Sequence, residues 1–330
     1  MFVAPELNDD QAIDIICTIF FGAGQNLSKF LKIMAYLLDN HLFRLRISRT
    51  IEIDYSRCFN FLMDDSSALI MFRFTIGQLQ RLADALRLPD IVKTDQNDKT
   101  TAVEALAMVC RRLAEPIRLS TMANEFGRST PSLSRIINKT INLIYEEHRD
   151  LIFFNEKLAI ERIQSYTTTV RDKGAPLDCI WAFIDGTKQY ICRPSARDPD
   201  QQILHENLQR SVYNGHPRRH CLNYQGITTP DGLIISMFGP VEGRRHDSTM
   251  LAISGFLERL RSKGETFKGK YIYGDPAYGC SDLVCCPFAF AEPGSRQSEF
   301  NSSMSSVREV VEWSFGRLKS LWLTVAYDKK

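Results

Sequence analysis

Apolar residues in the first part of the chain recur at three- and four-residue spacing: Ile13, Ile16 and Phe20, then Leu31, Met34, Leu37 and Leu38. That period puts them on one stripe of a helix, so the stretch from Asp9 to about Leu86 reads as helical. Gly22 and Gly24 punctuate the first turn, and the Asp-, Lys- and Asn-rich stretch from Pro89 to Thr100 reads as a solvated connection. A second helical group runs from Thr100 to Ile144, with Ala102, Leu106, Val109 and Leu113 on one face and room for three short helices. After the charged Gly/Pro segment from Arg171 to Pro176 the pattern changes to short β-rich runs at Cys179 to Ile184, Gln189 to Cys192, Leu222 to Thr228 and Leu233 to Phe238. A helix from Asp247 to Leu260, capped by Asp247 or Ser248, a strand at Tyr271 to Tyr273 and a last helix from about Ser305 to Leu321 complete the order. Strands followed by a helix, a strand and a helix argue for an α/β mixed sheet with helices on its faces. The expected organisation is an N-terminal helical region at 1–99, a second helical region at 100–170 and a sheet domain at 171–330.

Composition narrows this picture only slightly. With 330 residues the chain is long enough for about two domains. At 44% hydrophobic and 24% charged it matches ordinary globular averages, which argues against a disordered or fibrous chain. The formal charge of +2 neither demands nor excludes a polyanionic partner, so any basic surface must be local. The most apolar stretch, from Ala12 to Ala23, is interrupted by Asp14 and is too short for a bilayer, so no membrane span is expected. The start has no basic segment leading into an apolar core, which disfavours secretion and leaves the nine Cys expected as reduced thiols. Cys280, Cys285 and Cys286 lack zinc-site spacing and read as buried thiols.

Within the second helical group, Leu119 to Glu125 is short, Gly127 can turn left-handed, and Ser129 or Thr130 can cap a helix starting at Pro131. Such a pair resembles a helix-turn-helix, whose second helix would present Ser132, Arg135 and Lys139 opposite Leu133, Ile136 and Ile137, toward phosphates or base edges. Six Lys and Arg against three Glu between Thr101 and Tyr145 is a modest excess for a DNA reader. On pattern alone an ordinary trihelical bundle with a solvated polar face fits equally well.

The candidate chemistry lies in four acids at the ends of expected elements. Asp185 follows the apolar run Trp181 to Ile184 and precedes Gly186, so a buried strand is expected to deliver its carboxylate to a turn. Asp247 opens a helix, Asp275 closes the strand before Pro276, and Glu312 lies at one edge of the packing face of the last helix, formed by Val307, Val311, Phe315, Leu318 and Trp322. Carboxylates gathered at one place repel, and a hard divalent cation, Mg²⁺ or Mn²⁺, resolves that repulsion. Two such ions suit phosphodiester chemistry. The plainer roles are an N-cap for Asp247, a turn former for Asp275 and an ion pair of Glu312 with Arg308. Arg193, Arg197, Arg210, Arg218, Arg219 and His220, with Tyr213 among them, form a basic excursion between strands suited to DNA, diluted by Asp198, Asp200 and Glu206. His246, beside Asp247, is a secondary candidate for orienting a phosphate.

From Trp181 to Lys319 the chain resembles the catalytic domain of PIF/Harbinger-type DDE transposases and the nucleases domesticated from them. The resemblance rests on Ile184-Asp185-Gly186-Thr187, Tyr213-Asn214-Gly215-His216 through Leu222-Asn223-Tyr224-Gln225, Gly243-Arg244-Arg245-His246-Asp247-Ser248, Gly274-Asp275-Pro276-Ala277-Tyr278 and Val311-Glu312-Trp313-Ser314-Phe315-Gly316-Arg317-Leu318-Lys319. It implies an RNase H-like fold, with Asp185, Asp247 and Glu312 as the catalytic metal-binding triad and Asp275 as a further metal-site acid. It also implies a preceding helix-turn-helix, a divalent cation (Mg²⁺ or Mn²⁺), transposon-end double-stranded DNA as partner, and two-metal hydrolysis with strand transfer as activity. A Myb-like partner protein, an oligomer and nuclear residence belong to the same expectation; no dense import run is seen, so entry would depend on the partner and residence would otherwise be cytoplasmic. Pro276-Ala277 and Trp313 depart from the family's serine, glycine and arginine, and the chain stops at Lys330 before a further apolar helix, as a truncated copy would. The competing expectations are a catalytically inactive, domesticated DNA-binding protein and a hydrolase of small phosphate esters.

Overall fold

In the computed structural model, which describes residues 7, 9–40, 42, 53–56, 58–194 and 208–326 apart from the side chains of 9 and 310–312, the chain divides into two units, Met1–Ile53 and Asp54–Lys330. The first holds two amphipathic helices, α1 (Asp9–Gly22) and α2 (Leu27–Asp39). Asn26 caps α2 by accepting from the Lys29 amide, and Phe20 meets Phe30 edge to face at 5.4 Å.

The second unit begins with α3 (Asp65–Phe72) and α4 (Ile76–Ala85). The stretch expected as a plain connection is a hairpin, β1 (Ile91–Lys93) paired antiparallel with β2 (Lys99–Thr101). It escapes sequence pattern because its strands have three residues each and bury just Val92 and Thr100. Then follow α5 (Ala102–Ala114), α6 (Leu119–Phe126), α7 (Thr130–Phe153) and α8 (Glu156–Asp172). Gly127 ends α6 in the left-handed region (φ 59°), and Ser129 caps α7 by accepting from the Ser132 amide, as the residue types require. The third helix of this group is not short: α7 runs 24 residues. Its far end is fixed by the sheet, where Ser236 donates to the Phe153 carbonyl at 2.6 Å and the Asn155 amide donates to the Ile235 carbonyl at 2.8 Å.

The main sheet is built on β3 (Ile180–Tyr190), β5 (Arg219–Thr228), β6 (Ile234–Glu242), β7 (Tyr271–Tyr273) and β8 (Val284–Cys285), with the short β4 (Tyr213–Asn214) paired to the start of β5. A helical turn, α9 (Leu208–Val212), precedes β4. The lateral order β6-β5-β3-β7-β8 is antiparallel on the β5 and β6 side of β3 and parallel on the β7 and β8 side. Two runs expected as separate strands are therefore one 11-residue strand, β3, and Asp185 lies within it rather than at a turn. Its first five residues are buried while the last six, polar and half-buried, run beyond β7 with β5 alongside.

Each face of the sheet carries its own core. One face buries Ala182, Ile184, Ile227 and Ile272 against Phe154, Tyr166, Leu251 and Phe256 from α7, α8, α10 (Asp247–Ser254) and α11 (Phe256–Arg261). The expected single helix is broken there by Gly255 at φ 68°. The opposite face buries Ile180, Phe183 and Tyr273 against Met304, Val307 and Phe315 of α12 (Arg296–Leu321), which starts nine residues earlier than its apolar pattern suggested. A short α13 (Leu323–Ala326) returns to the helical layer through Thr324, whose hydroxyl donates to the Arg112 carbonyl at 2.6 Å. Cys286 is buried as expected, whereas Cys285 is half-buried and Cys280 exposed.

Seating of α12 depends on one missing side chain. A Cβ on Gly226, the register partner of Asp185 on β5, would lie 2.5 Å from Phe315 Cζ. Gly226→Ala is expected to lift α12 from the sheet and destabilise the protein by roughly 1–3 kcal/mol in denaturant titration. Gly316→Ala, on the same helix in open space, is expected to stabilise it by about 0.5–1 kcal/mol in the same measurement.

Candidate functional site

Register brings the first two acids together. Phe183 of β3 pairs in parallel with Tyr273 of β7. Two residues further along each chain stand Asp185 and Asp275, at the carboxyl end of the parallel pair, where open α/β sheets place their ligands. Alternation puts Asp185 on the α12 face with Phe183, and Gly186 and Lys188 on the α10 face with Ile184. A Cβ on Gly274 would meet Ile184 Cγ2 at 2.7 Å, so glycine there lets the β7 exit lie against β3. Asp275 caps the 3₁₀ turn Pro276–Tyr278 by accepting from the Ala277 amide at 2.9 Å, and Asp185 accepts from the Gly186 amide at 2.9 Å. The turn-former role of Asp275 is thus real, and it fixes the carboxylate beside Asp185.

Asp247 arrives from the other face. It is the first residue of α10 rather than its cap; His246 takes the cap position and makes no side-chain cap hydrogen bond. The loop before it is clamped: Asn214 donates to the Gly243 carbonyl at 2.6 Å, and Asn223 donates to the carbonyls of Gly243 and Arg245 at 3.3 and 3.1 Å. Gly243 cannot carry a side chain, because a Cβ would stand 2.4 Å from the Cys221 carbonyl and 2.5 Å from that of Val212. The motif asparagines and glycine therefore work as a brace that delivers Asp247, whose Oδ1 lies 3.0 Å from where a Gly186 Cβ would be. Burial, and secondarily the charge of Asp275, hold the Asp247 carboxyl above the usual range.

Tyr278 joins the acids. It is 6% exposed and its hydroxyl, 3.7 Å from the same notional Cβ, has no hydrogen-bond partner among the described residues. Burial pushes its phenol up, reinforced by the charges of Asp247, Asp185 and Asp275. From the opposite face Arg308 Nη2 lies 3.6 Å from Asp185 Oδ1, with both side chains about one-fifth exposed. One further turn along α12 is Glu312, whose side chain lies outside the described residues. Positions 308, 312, 315 and 319 share a helical stripe, and its other members face the sheet: Phe315 covers Gly226, and burial lowers the Lys319 ammonium against the opposing pull of Asp185. Arg308 thus turns to Asp185. Among the described residues no three His, Cys, Asp or Glu side chains stand close enough together to hold a metal ion.

The other expected contacts scatter. Ser132 is buried at 8% exposure, and Arg135 is held by Asp98 of the hairpin through two hydrogen bonds of 2.7 and 3.0 Å, so neither lies free on a phosphate-facing surface. Asp98 is correspondingly held well below the usual carboxylate range, first by Arg135 and then by Thr94. Lys139 is half-exposed. Arg210 and Arg218 are exposed; Arg219 stacks over the Tyr190 ring at 4.7 Å, and Tyr213 meets His220 edge to face at 5.4 Å. Arg193 donates to Gln209, and Arg197, Asp198, Asp200 and Glu206 lie outside the described residues. Sequence reasoning missed Arg308, Tyr278, Lys188 and Lys319. For Lys188 the available signal was its place three residues after Asp185, on the alternate face of the same strand.

Residues 184–329 match the family of the DDE superfamily endonuclease, a span containing all four acids. No curated protein and no solved structure matches the chain. The family match supports a DDE-transposase relationship for this segment, and the mixed sheet flanked by helices is compatible with a DDE nuclease domain.

Because the native state binds the Asp247 proton more tightly than the unfolded chain, this residue favours folding at acid pH. That contribution is lost as pH rises through its elevated native pKa. In metal-free buffer Asp247→Asn is expected to melt close to the parent near pH 3.5 and several degrees above it at pH 8, by calorimetry. An equal shift at both pH values would contradict the assignment.

Proposed function

We propose that the chain is a transposase-like DNA endonuclease of PIF/Harbinger type, with an RNase H-like catalytic region that hydrolyses and rejoins phosphodiesters at transposon ends. The single observation that carries this reading is the placement of Asp185 and Asp275 at the carboxyl end of the β3–β7 parallel pair, with Asp247 arriving beside Gly186. The strand order β6-β5-β3-β7-β8 and the family match over 184–329 support it.

A hard divalent cation, Mg²⁺ or Mn²⁺, fits the donor chemistry. The acids are oxygen donors, burial and then the charge of Asp275 raise Asp247, and the Tyr278 hydroxyl, without a partner among the described residues, lies beside them. Asp185 and Asp275 would hold it, with Glu312 from α12 and Asp247 from the second face; this arrangement gives Asp275 a more central place than the triad implied by the family resemblance. Bound there, such an ion supplies Lewis acidity at the phosphoryl oxygen and a more acidic water. The chain's own groups do the rest: the Tyr278 hydroxyl, without a partner among the described residues, is available to donate into the site, the Asn214 and Asn223 brace fixes Asp247, and the buried start of β3 holds Asp185 in place. The helices of 100–170, with α6 and α7 joined through Gly127, are read as a helix-turn-helix region preceding the catalytic region at 171–330, and 1–99 as a separate N-terminal helical region. Terminal-repeat double-stranded DNA, a Myb-like partner, oligomerisation and partner-dependent nuclear residence belong to this proposal.

One observation favours the alternative, a catalytically inactive DNA-binding protein: Arg308 already places a cation against Asp185. Nicking of supercoiled DNA in Mg²⁺ or Mn²⁺ separates the two. Activity is expected in the full chain, and Asp185→Asn is expected to reduce it on the order of 10³-fold, the loss of several kcal/mol of charge stabilisation. Retained DNA binding with no nicking in either metal would favour the alternative.

A further inference from the structure

A cavity of about 340 Å³ opens beside Asp247 on the α10 face, and its wall is cationic. Lys188 of β3, His216 of the β4–β5 turn, and Arg244, Arg245 and His246 before α10 line it, with Asp247 as the acid at its edge. The cations differ in how far they are committed. Arg245 is ion-paired with Glu242 at 2.5 Å. Arg244 is exposed and, among the described residues, makes its hydrogen bond through the backbone amide, to Ser211; Lys188 has no ion pair there and feels the Asp247 charge. The carbonyls of Gly243 and Arg245, which would repel an anion, are taken by Asn214 and Asn223. The first turn of α10 contributes amides that no cap side chain occupies. A concave wall with two cations that form no ion pair among the described residues and a helix N-terminus without a side-chain cap, its neighbouring acceptors already bound, suits a phosphate oxyanion.

We propose that this cavity is the seat of a nucleic-acid backbone phosphodiester next to the acids, held by Lys188, Arg244 and the α10 amides. The proposal rests on the phosphodiester reading above and adds the side from which the strand enters: across the α10 face, opposite α12. Asp247 belongs to both the cavity and the acid cluster, so a phosphate seated here lies against the reacting groups rather than on a remote basic surface. Lys188 and Arg244 then serve as binding residues, while Asn214 and Asn223 position the loop that carries Arg244.

Fluorescence anisotropy of a labelled 20-base-pair duplex in Ca²⁺ buffer, titrated over a range of salt, tests this on the full chain. Lys188→Gln with Arg244→Gln is expected to weaken binding about tenfold or more and to reduce the slope of log K against log salt by about one for each cation removed. Arg244→Gln alone, at an exposed position, is expected to reduce the slope by about one and to leave the melting temperature unchanged, which guards against a folding artefact. An unchanged slope in both variants would overturn the proposal. So would melting-temperature protection by inorganic phosphate or a mononucleotide that both variants abolish while duplex binding stays intact, since the cavity would then take small phosphate esters. Asp185→Asn separates this result from failure of the endonuclease reading: it is expected to lose nicking but keep the parental salt slope. Persistence of nicking in Asp185→Asn would sink that reading while the slopes still decide the cavity.

Discussion

Carboxylates do not gather unless a fold forces them to, and here the force is the parallel pairing of β3 with β7. β3 is anchored by five buried residues, β7 by Ile272 and Tyr273, and both chains leave their pairing at the same level. The residue two beyond the last pair is Asp on each. Like charges at that separation raise the free energy of the ionised state, and core burial on both faces of the sheet offsets it. Burial first, and the neighbouring carboxylate charges second, favour the protonated forms of Asp247 and Tyr278.

The two faces contribute different things to this sheet end. α12 brings cations and position 312 from one side, and it can come so close because Gly226 leaves space for Phe315. The other side brings Asp247 and a basic cavity on a loop whose conformation is set by two asparagines and a glycine without room for a side chain. Motif residues that resemble catalytic candidates in the sequence thus divide into those that carry charge to the site and those that hold the backbone. Asn214, Asn223 and Gly243 belong to the second group.

Much of this was legible from sequence where a residue type has one dominant local role. The Gly127 turn, the Ser129 cap and the strand at Tyr271–Tyr273 follow from left-handed freedom, side-chain capping and an apolar run between breakers. What was not legible depends on partners distant in the chain. Asp185-Gly186 reads as a turn, yet β5 continues the pairing across it, and the polar half of β3 stays extended because its neighbour holds it. Ser132 and Arg135 read as a helix face turned to DNA or to solvent, but Arg135 is paired with Asp98, 37 residues away, on a hairpin too short and polar to announce itself. Helical spacing offered Glu312 as a partner for Arg308, whereas the structure also places Arg308 3.6 Å from Asp185, a tertiary carboxylate.

Cations of the chain itself offset part of the acids' charge at the sheet end. Arg308 and Lys319 approach Asp185 from α12, and Lys188 acts on Asp247 from β3, so each of these two acids feels a cation of the chain itself. Arg308 stands 3.6 Å from Asp185, its Nε without a hydrogen bond among the described residues, and burial lowers the Lys319 ammonium against the pull of Asp185. On the proposed reading a hard divalent ion would be held by these acids, and the side-chain cations beside it would be donors for a phosphate. Arg308, Lys319 and Lys188 thus sit at the same sheet end as the acids, each acting on a carboxylate it does not neutralise alone.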